Sequence, residues 1–344
     1  MTELRNMLAE TASKVLRGGD WAAVAESGLC NVMVPEAAGG FGGGWEDALP
    51  VLRELGALAL PLPVAETIIA NRILAAAGIA PDDQPASFIT KADGEVLGDG
   101  SFTGVLRAIP FEDTASRILA RAQKSGASFL LVFHSDSAKE RGARNNLAGE
   151  PRGELGFEKA KMEMAPWPEG EYHGFTPMGA LTRVCQIAGA MEAMLAMTIE
   201  HAKTRQQFGR AIGNYQAIQQ QMATFASETA AVGAAAAAAC RAADRGDAGF
   251  EIAAAKLRAN RAVDVATNVG HQVHGAIGIT QEHALHRYTQ RLWSWKSEYG
   301  NDRHWATELG TAVTERGADG LWAGLTAVRE MARTSDRPVP TADQ

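Results

Sequence analysis

Cysteine is scarce in this sequence: Cys30, Cys185 and Cys240 are the only three among 344 residues. An odd count without metal-ligand spacing excludes a disulfide framework and a zinc-finger-like site, and the apolar neighbours of each predict buried free thiols. An excess of basic charge is also missing. The net charge is −7, with Lys and Arg scattered along the chain, so nucleic acid is not an expected partner. No segment approaches the ~18 uninterrupted apolar residues that a membrane helix needs. The opening Met1-Thr2-Glu3-Leu4-Arg5-Asn6 lacks a basic segment followed by an apolar run, so neither a signal peptide nor a transit peptide is expected, and the cytoplasm is the default location. The glycine-rich stretch Gly39-Gly40-Phe41-Gly42-Gly43-Gly44 is not followed by Gly-Lys-Ser/Thr, nor by an acidic residue closing a second strand. It reads as a structural loop between helices rather than a phosphate loop. No metal is expected, and His274, with no second ligand at a suitable offset, reads as a packing histidine.

What is present describes a globular chain of more than one unit. Apolar residues at 46% against 21% charged allow a sizeable core, and the length suits two or three structural units. From Glu3 to about Ala77 the apolar period is helical: Leu4, Met7, Leu8, Ala12 and Val15 share one face, and Ala48, Leu49, Val51, Leu52, Leu55 and Leu58 another. At about Pro85 the texture changes to short β-prone runs, Ser87-Phe88-Ile89-Thr90, Gly94-Glu95-Val96-Leu97-Gly98 and Ser128 to His134, which predict a small antiparallel sheet unit. The turn-rich stretch Asn145 to Gly153 reads as an exposed loop without visible chemistry. From Met178 the helical period returns, with Val184, Ile187, Ala188, Met191, Met194, Leu195, Thr198 and Ile199 on one side of a long helix. The small side chains of Ala234 to Ala239 allow helices of a bundle to approach closely. The expected organisation is α+β, mostly α: a helical domain over 1–84, a β-domain over 85–175, a helical bundle over 176–333 and a frayed tail over 334–344.

Two segments carry chemistry. The first is Thr204-Arg205-Gln206-Gln207-Phe208-Gly209-Arg210-Ala211-Ile212, continuing to Gln216; the second is Gln272-Val273-His274-Gly275-Ala276-Ile277-Gly278. Arg205 offers a fixed fork of donors suited to a pyrophosphate, and Phe208 a flat face for a planar ring. Gln272 and the backbone N–H groups near Gly275 suit phosphate oxygens where a side chain would obstruct. Together they describe half a dinucleotide site.

In this order, the two segments resemble the acyl-CoA dehydrogenase family, and so do Val34-Pro35-Glu36 with the glycine-rich loop and Leu60-Pro61-Leu62-Pro63-Val64-Ala65-Glu66-Thr67. The resemblance implies a helical N-terminal domain, a central β-domain and a C-terminal four-helix bundle. It further implies FAD as cofactor and α,β-desaturation of an acyl-CoA thioester, with electron-transferring flavoprotein as the usual acceptor. In the family, the Arg, Phe and Gln of the first segment reach a neighbouring subunit's FAD, and the second touches its pyrophosphate region. That carries over to Arg205, Phe208, Gln216, Gln272 and Gly275 as cofactor-binding residues. Asn301 falls where the family often has a Thr contacting flavin.

The resemblance also implies departures. The family's base is commonly a Glu directly before Gly, and the matching position here is Tyr299, before Gly300, with Glu298 one residue earlier. One residue on a helix rotates a side chain by about 100°. Glu298 is therefore the candidate catalytic base only if the local backbone differs, and no carboxylate stands at the alternative position around Ala180-Leu181-Thr182-Arg183. The Trp with nearby Thr or Ser that holds the isoalloxazine in the family finds no matching string between Ser87 and Trp167. Residues lent to a neighbour's flavin are present while those holding a chain's own flavin are poorly represented. This resembles the short members that form α2β2 assemblies in bacterial steroid degradation, and it implies a bulky CoA thioester and a second dehydrogenase-like subunit. Two alternatives stay open: an active homotetramer using Glu298 as base, and a non-catalytic structural subunit.

Overall fold

The apolar stripes set the first layer. In the computed structural model, which describes residues 3–124, 126–171, 174–246 and 248–326, helix α1 (Glu3–Leu16) buries Leu8, Ala12 and Leu16, whereas Met7 turns outward. A short α2 (Trp21–Ser27) leads into the glycine-rich loop, which folds back through Gly42 N–H to Val34 O (2.8 Å) and Gly43 N–H to Val32 O (3.0 Å). It then enters α3 (Trp45–Leu58), whose first N–H groups donate to Asp244: Trp45 N to Oδ1 at 2.6 Å and Glu46 N to Oδ2 at 2.9 Å. The loop is structural, as expected. α4 (Val64–Ala76) is buried on all sides, including the carboxylate of Glu66.

Ten strands occur among the described residues, eight of them in the middle of the chain: β1 (Ala86–Ile89), β2 (Ala92–Val96), β3 (Phe102–Pro110), β4 (Arg117–Lys124), β5 (Ala127–His134), β6 (Glu140–Gly142), β7 (Arg152–Ala160) and β8 (Glu163–Pro166). They form two four-stranded sheets, ordered β1-β4-β5-β8 and β2-β3-β7-β6. The expectation of an antiparallel unit needs one correction. β1 pairs with β4 in parallel, Phe88 opposite Leu119, because the chain crosses to the other sheet between the two strands. Between the sheets Phe102, Phe133 and Phe157 meet edge-on or tilted, with Leu106, Ile118, Leu131 and Leu155 around them.

Long helices follow: α5 (Phe175–Thr204), α6 (Gln216–Arg245), α7 (Gly249–His274), α8 (Leu285–Ser297) and α9 (Asp302–Thr326), the last bent at Gly317. A two-stranded hairpin, β9 (Gln206–Gln207) and β10 (Arg210–Ala211), interrupts them. The stripe on α5 buries Val184, Ile187, Ala188, Met191, Met194 and Thr198, while Ile199 is partly exposed. α3 lies against α5 at two glycines: a Cβ on Gly56 would stand 1.9 Å from Gln186 O, and one on Gly189 1.9 Å from Arg53 O. Ala236 and Ala239 of α6 are fully buried, which accords with close helix approach. All three cysteines are buried and free, and burial pushes the Cys30 thiol up to about 12. Cys185 on α5 and Cys240 on α6 bring their sulfurs within 3.6 Å. No described helix is long and apolar enough to cross a membrane. The expected tail over 334–344 lies outside the described residues.

Candidate active site

Where the β-domain meets the end of α8, a cavity of about 800 Å³ opens, lined by Phe88, Thr90, Asn146, Arg152, Glu298 and Tyr299 among others. The loop between α8 and α9 shapes its wall. Tyr299 has a positive φ of 54°, a strained conformation for a residue with a Cβ, and Gly300 follows at 106°. A Cβ on Gly300 would stand 2.4 Å from Trp305 Nε1, so glycine is required there. The backbone reversal turns the Tyr299 ring inward against Phe88 (centroids 5.5 Å apart) and over Gly179, where a Cβ would be 2.4 Å from Tyr299 Cδ1. Its hydroxyl has no hydrogen-bond partner among the described residues, and burial raises its pKa. An aromatic ring thus occupies the place that the sequence aligned with the family's base.

Glu298 reaches the same cavity but is committed to cations. Its Oε2 accepts from Arg183 Nε at 2.7 Å, and its Oε1 accepts from Arg152 Nε at 2.9 Å and Asn146 Nδ2 at 3.1 Å. Burial works toward protonation, but Arg183 and then Arg152 outweigh it and hold the carboxyl at about 2. A carboxylate this stabilised has little affinity for a substrate proton. The candidate base is therefore present in the cavity, with an electrostatic setting suited to structure.

The pairing extends through all three layers of the molecule. Arg183, 2% exposed, also donates to Glu66 of α4 at 2.6 Å, and Glu150 accepts from Arg152 at 3.1 Å and from Arg291 of α8 at 3.0 Å. Three guanidinium groups and three carboxylates alternate, each carboxylate touching at least one arginine. The stretch Asn145–Gly153 was expected to be an exposed loop without chemistry. Instead Asn146, Glu150 and Arg152 fold into the ion-pair core, because their partners on α5 and α8 offer complementary charge that burial makes obligatory. Sequence reasoning missed these residues and Arg183. The only signal was an arginine on an otherwise apolar helix face.

A second cavity, of about 510 Å³, lies at the other end of α5 and α7 and brings together Arg205, Phe208, Gln272 and Gly275 with His201 and His274. The segment between Thr204 and Gln216 is a hairpin whose two-residue turn, Phe208 (φ 51°) and Gly209 (φ 82°), has positive φ at both positions, as tight hairpins favour. That turn drives the Phe208 ring outward, 91% exposed, and Tyr215 steadies it by donating to Gln207 O at 3.0 Å. The ring is therefore not part of the core. Gln272 and Gly275 are exposed at the end of α7, and a Cβ on Gly275 would meet nothing within 4 Å, which leaves the backbone open to a ligand. Gln216, at the start of α6, is exposed and does not line this cavity, whereas Asn301 stands with Glu298 in the first. Gln216 apart, the predicted residues therefore fall into two sites at opposite ends of α5.

Residues 174–295 match the C-terminal domain of acyl-CoA dehydrogenases. Over 315 residues the chain is 30% identical to acyl-CoA dehydrogenase IpdE2 of Mycobacterium tuberculosis, covering 84% of this chain and 91% of that protein. The chain belongs to the acyl-CoA dehydrogenase family. It is also 28% identical to acyl-CoA dehydrogenase FadE34 of the same organism, spanning 42% of that longer protein. Among solved structures, the ChsE4-ChsE5 complex from Mycobacterium tuberculosis superposes with a TM-score of 0.80 at 19% identity, over 92% of this chain and 99% of that one. The G363A variant of the steroid acyl-CoA dehydrogenase Tcur3481-Tcur3483 superposes with a TM-score of 0.77 at 20% identity, over 94% of this chain and 98% of that one. An acyl-CoA dehydrogenase is a flavoprotein oxidoreductase acting on CH–CH groups, and the mostly helical α+β architecture described above is that family's fold.

Proposed function

We propose that this chain is a subunit of an FAD-dependent acyl-CoA dehydrogenase that desaturates a bulky, steroid-derived CoA thioester, with its flavin site completed by a distinct partner subunit in an α2β2 assembly. The observation that carries the reading is the exposed Phe208 turn beside Arg205 and Gln272: a flat apolar ring and pyrophosphate-type donors aimed away from the chain that bears them. The donor set fits the cofactor. Arg205, Gln272 and the backbone at Gly275 would hold phosphate oxygens, and Phe208 would cover a ring, all belonging to FAD seated mainly on a neighbour. When bound, FAD supplies the hydride acceptor for the substrate β-carbon.

Tyr299 and Glu298 support asymmetry between the subunits. A Tyr ring fills the aligned base position and the adjacent carboxylate is held by two arginines, so the α-proton is removed by a residue of the partner. The names of its structural neighbours, among them the steroid acyl-CoA dehydrogenase Tcur3481-Tcur3483, favour a bulky, steroid-derived thioester. Electron-transferring flavoprotein is the expected acceptor, and the expected location is the cytoplasm.

Arg205→Ala in the co-purified complex separates this reading from a purely structural subunit. The expected result is an intact complex that retains about tenfold less flavin, the equivalent of about 1.4 kcal/mol. Unchanged flavin with an intact complex would assign this chain to assembly alone.

A further inference from the structure

Beside the second cavity, three of the chain's eight histidines converge from three places far apart in sequence: His201 near the end of α5, His274 closing α7, and His283 in the turn before α8. One ring nitrogen of each lies within 4.8 Å of the others. The His201 and His274 rings stack with centroids 4.4 Å apart, and His283 stands edge-on to His274 at 4.7 Å. The reading of His274 as a packing histidine rested on the lack of a second ligand at a suitable sequence offset; His201 and His283 stand beside it in space. Sequence offsets could not show the companions, since they come from other elements.

His274 is poised as a ligand. It is 5% exposed, and its Nδ1 lies 2.8 Å from the Gly270 carbonyl, which can only accept, so Nδ1 carries the proton. Its Nε2 is left with a free lone pair and has no partner among the described residues. A carbonyl fixing the tautomer behind a ring whose other nitrogen is bare is the arrangement that orients metal-bound histidines. Burial depresses the pKa of His201 and holds His274 at about 4, keeping both rings neutral, as ligation requires. His283 accepts the Leu285 N–H at Nδ1 over 3.2 Å. Ligand atoms around a tetrahedral ion with bonds of about 2.0 Å lie about 3.3 Å apart, so modest rotation of the two half-buried rings closes the set around the fixed His274.

We propose that His201, His274 and His283 form a binding site for a late first-row divalent cation of the zinc class. Three imidazoles without carboxylates suit zinc, cobalt, nickel or copper and disfavour magnesium or calcium. His201 and His274 also line the second cavity, so the remaining coordination position opens there to an oxygen donor, water or phosphate. The site goes beyond the flavin reading and does not depend on it.

The test uses the full chain, freed of flavin and stripped with a chelator, then titrated with Co²⁺ and Zn²⁺. The site predicts one Co²⁺ per chain with the visible d–d absorption of a four- or five-coordinate ion, displaced by Zn²⁺. His201→Gln and His283→Gln, each at a half-buried position, are expected to weaken binding at least about tenfold, and His134→Gln, on distant β5, to leave it unchanged. Circular dichroism verifies that each variant is folded, and His283, in a turn, serves if His201→Gln is not. Absence of the absorption band, or equal binding by wild type and both cluster variants, overturns the proposal. Because the chain is flavin-free throughout, failure here is distinct from failure of the shared-flavin reading.

Discussion

Glu298 divides its two oxygens between Arg183 and Arg152, and this division determines how the residue behaves with pH. The folded carboxyl, at about 2, lies below its ordinary 4.5, so its contribution to stability is fully present above about 4.5 and is lost as the pH falls toward 2. Comparing wild type with Glu298→Gln in denaturant at pH 7 and at pH 3 checks the sign: the gap is about 3 kcal/mol at pH 7 and narrows at pH 3. The same variant examines catalysis. In the assembled enzyme it is expected to lower kcat less than about tenfold, whereas removing a true general base costs about 10²- to 10⁴-fold. The sequence offered Glu298 as a candidate because the Tyr299-Gly300 pair stood beside it. It could not reveal Asn146, Arg152 and Arg183 as partners, since those contacts span 115 to 152 residues. Breaking the fully buried Arg183–Glu66 pair with Glu66→Gln is expected to cost about 3 kcal/mol, because it leaves a buried guanidinium undercompensated.

Helix α5 joins the two candidate sites, with Thr176 at its start lining the first cavity and His201 near its end lining the second. Its seat against α3 rests on backbone-to-backbone approach at Gly56 and Gly189. Gly189→Ala places a methyl against Arg53 O and is expected to lower stability by about 1–3 kcal/mol, read as a lower urea midpoint with an unchanged slope. At the end of α8, the fully buried Lys256 donates to the carbonyl of Trp295 at 2.8 Å and of Lys296 at 3.1 Å, which fixes the strand of chain leading to Glu298 and Tyr299. Burial depresses that ammonium to about 7. The helices were legible because their apolar period persists over several turns, as Val184 to Thr198 shows. The β9–β10 hairpin was not, since its turn rests on a Phe rather than on Asn or a first glycine. The parallel β1–β4 pair was equally hidden, because register between positions 31 residues apart, such as Ala86 and Arg117, leaves no local pattern.

Across the whole molecule, Glu66, Arg183, Glu150, Arg152, Arg291 and Glu298 tie the early helices, the strands and the late helices together, and Arg152 and Glu298 of this set line the first cavity. We propose that these layers correspond to domains over 1–84, 85–175 and 176–333, with the ion pairs acting as the fixed joint among them. The outward-facing Phe208 turn lies at the opposite end of α5, and among the described residues nothing covers it. The two features support one account, in which the chain's own base position is closed and its donors serve a neighbour. The most direct test is the absorption spectrum and native mass of this chain, purified alone and then with a dehydrogenase-like partner. The account predicts little flavin in the lone chain and, with the partner, a heterotetramer holding about half a flavin per chain, as two shared sites in a two-fold α2β2 assembly require. A full flavin complement in a homotetramer of the lone chain would contradict it and return Glu298 to the role of base.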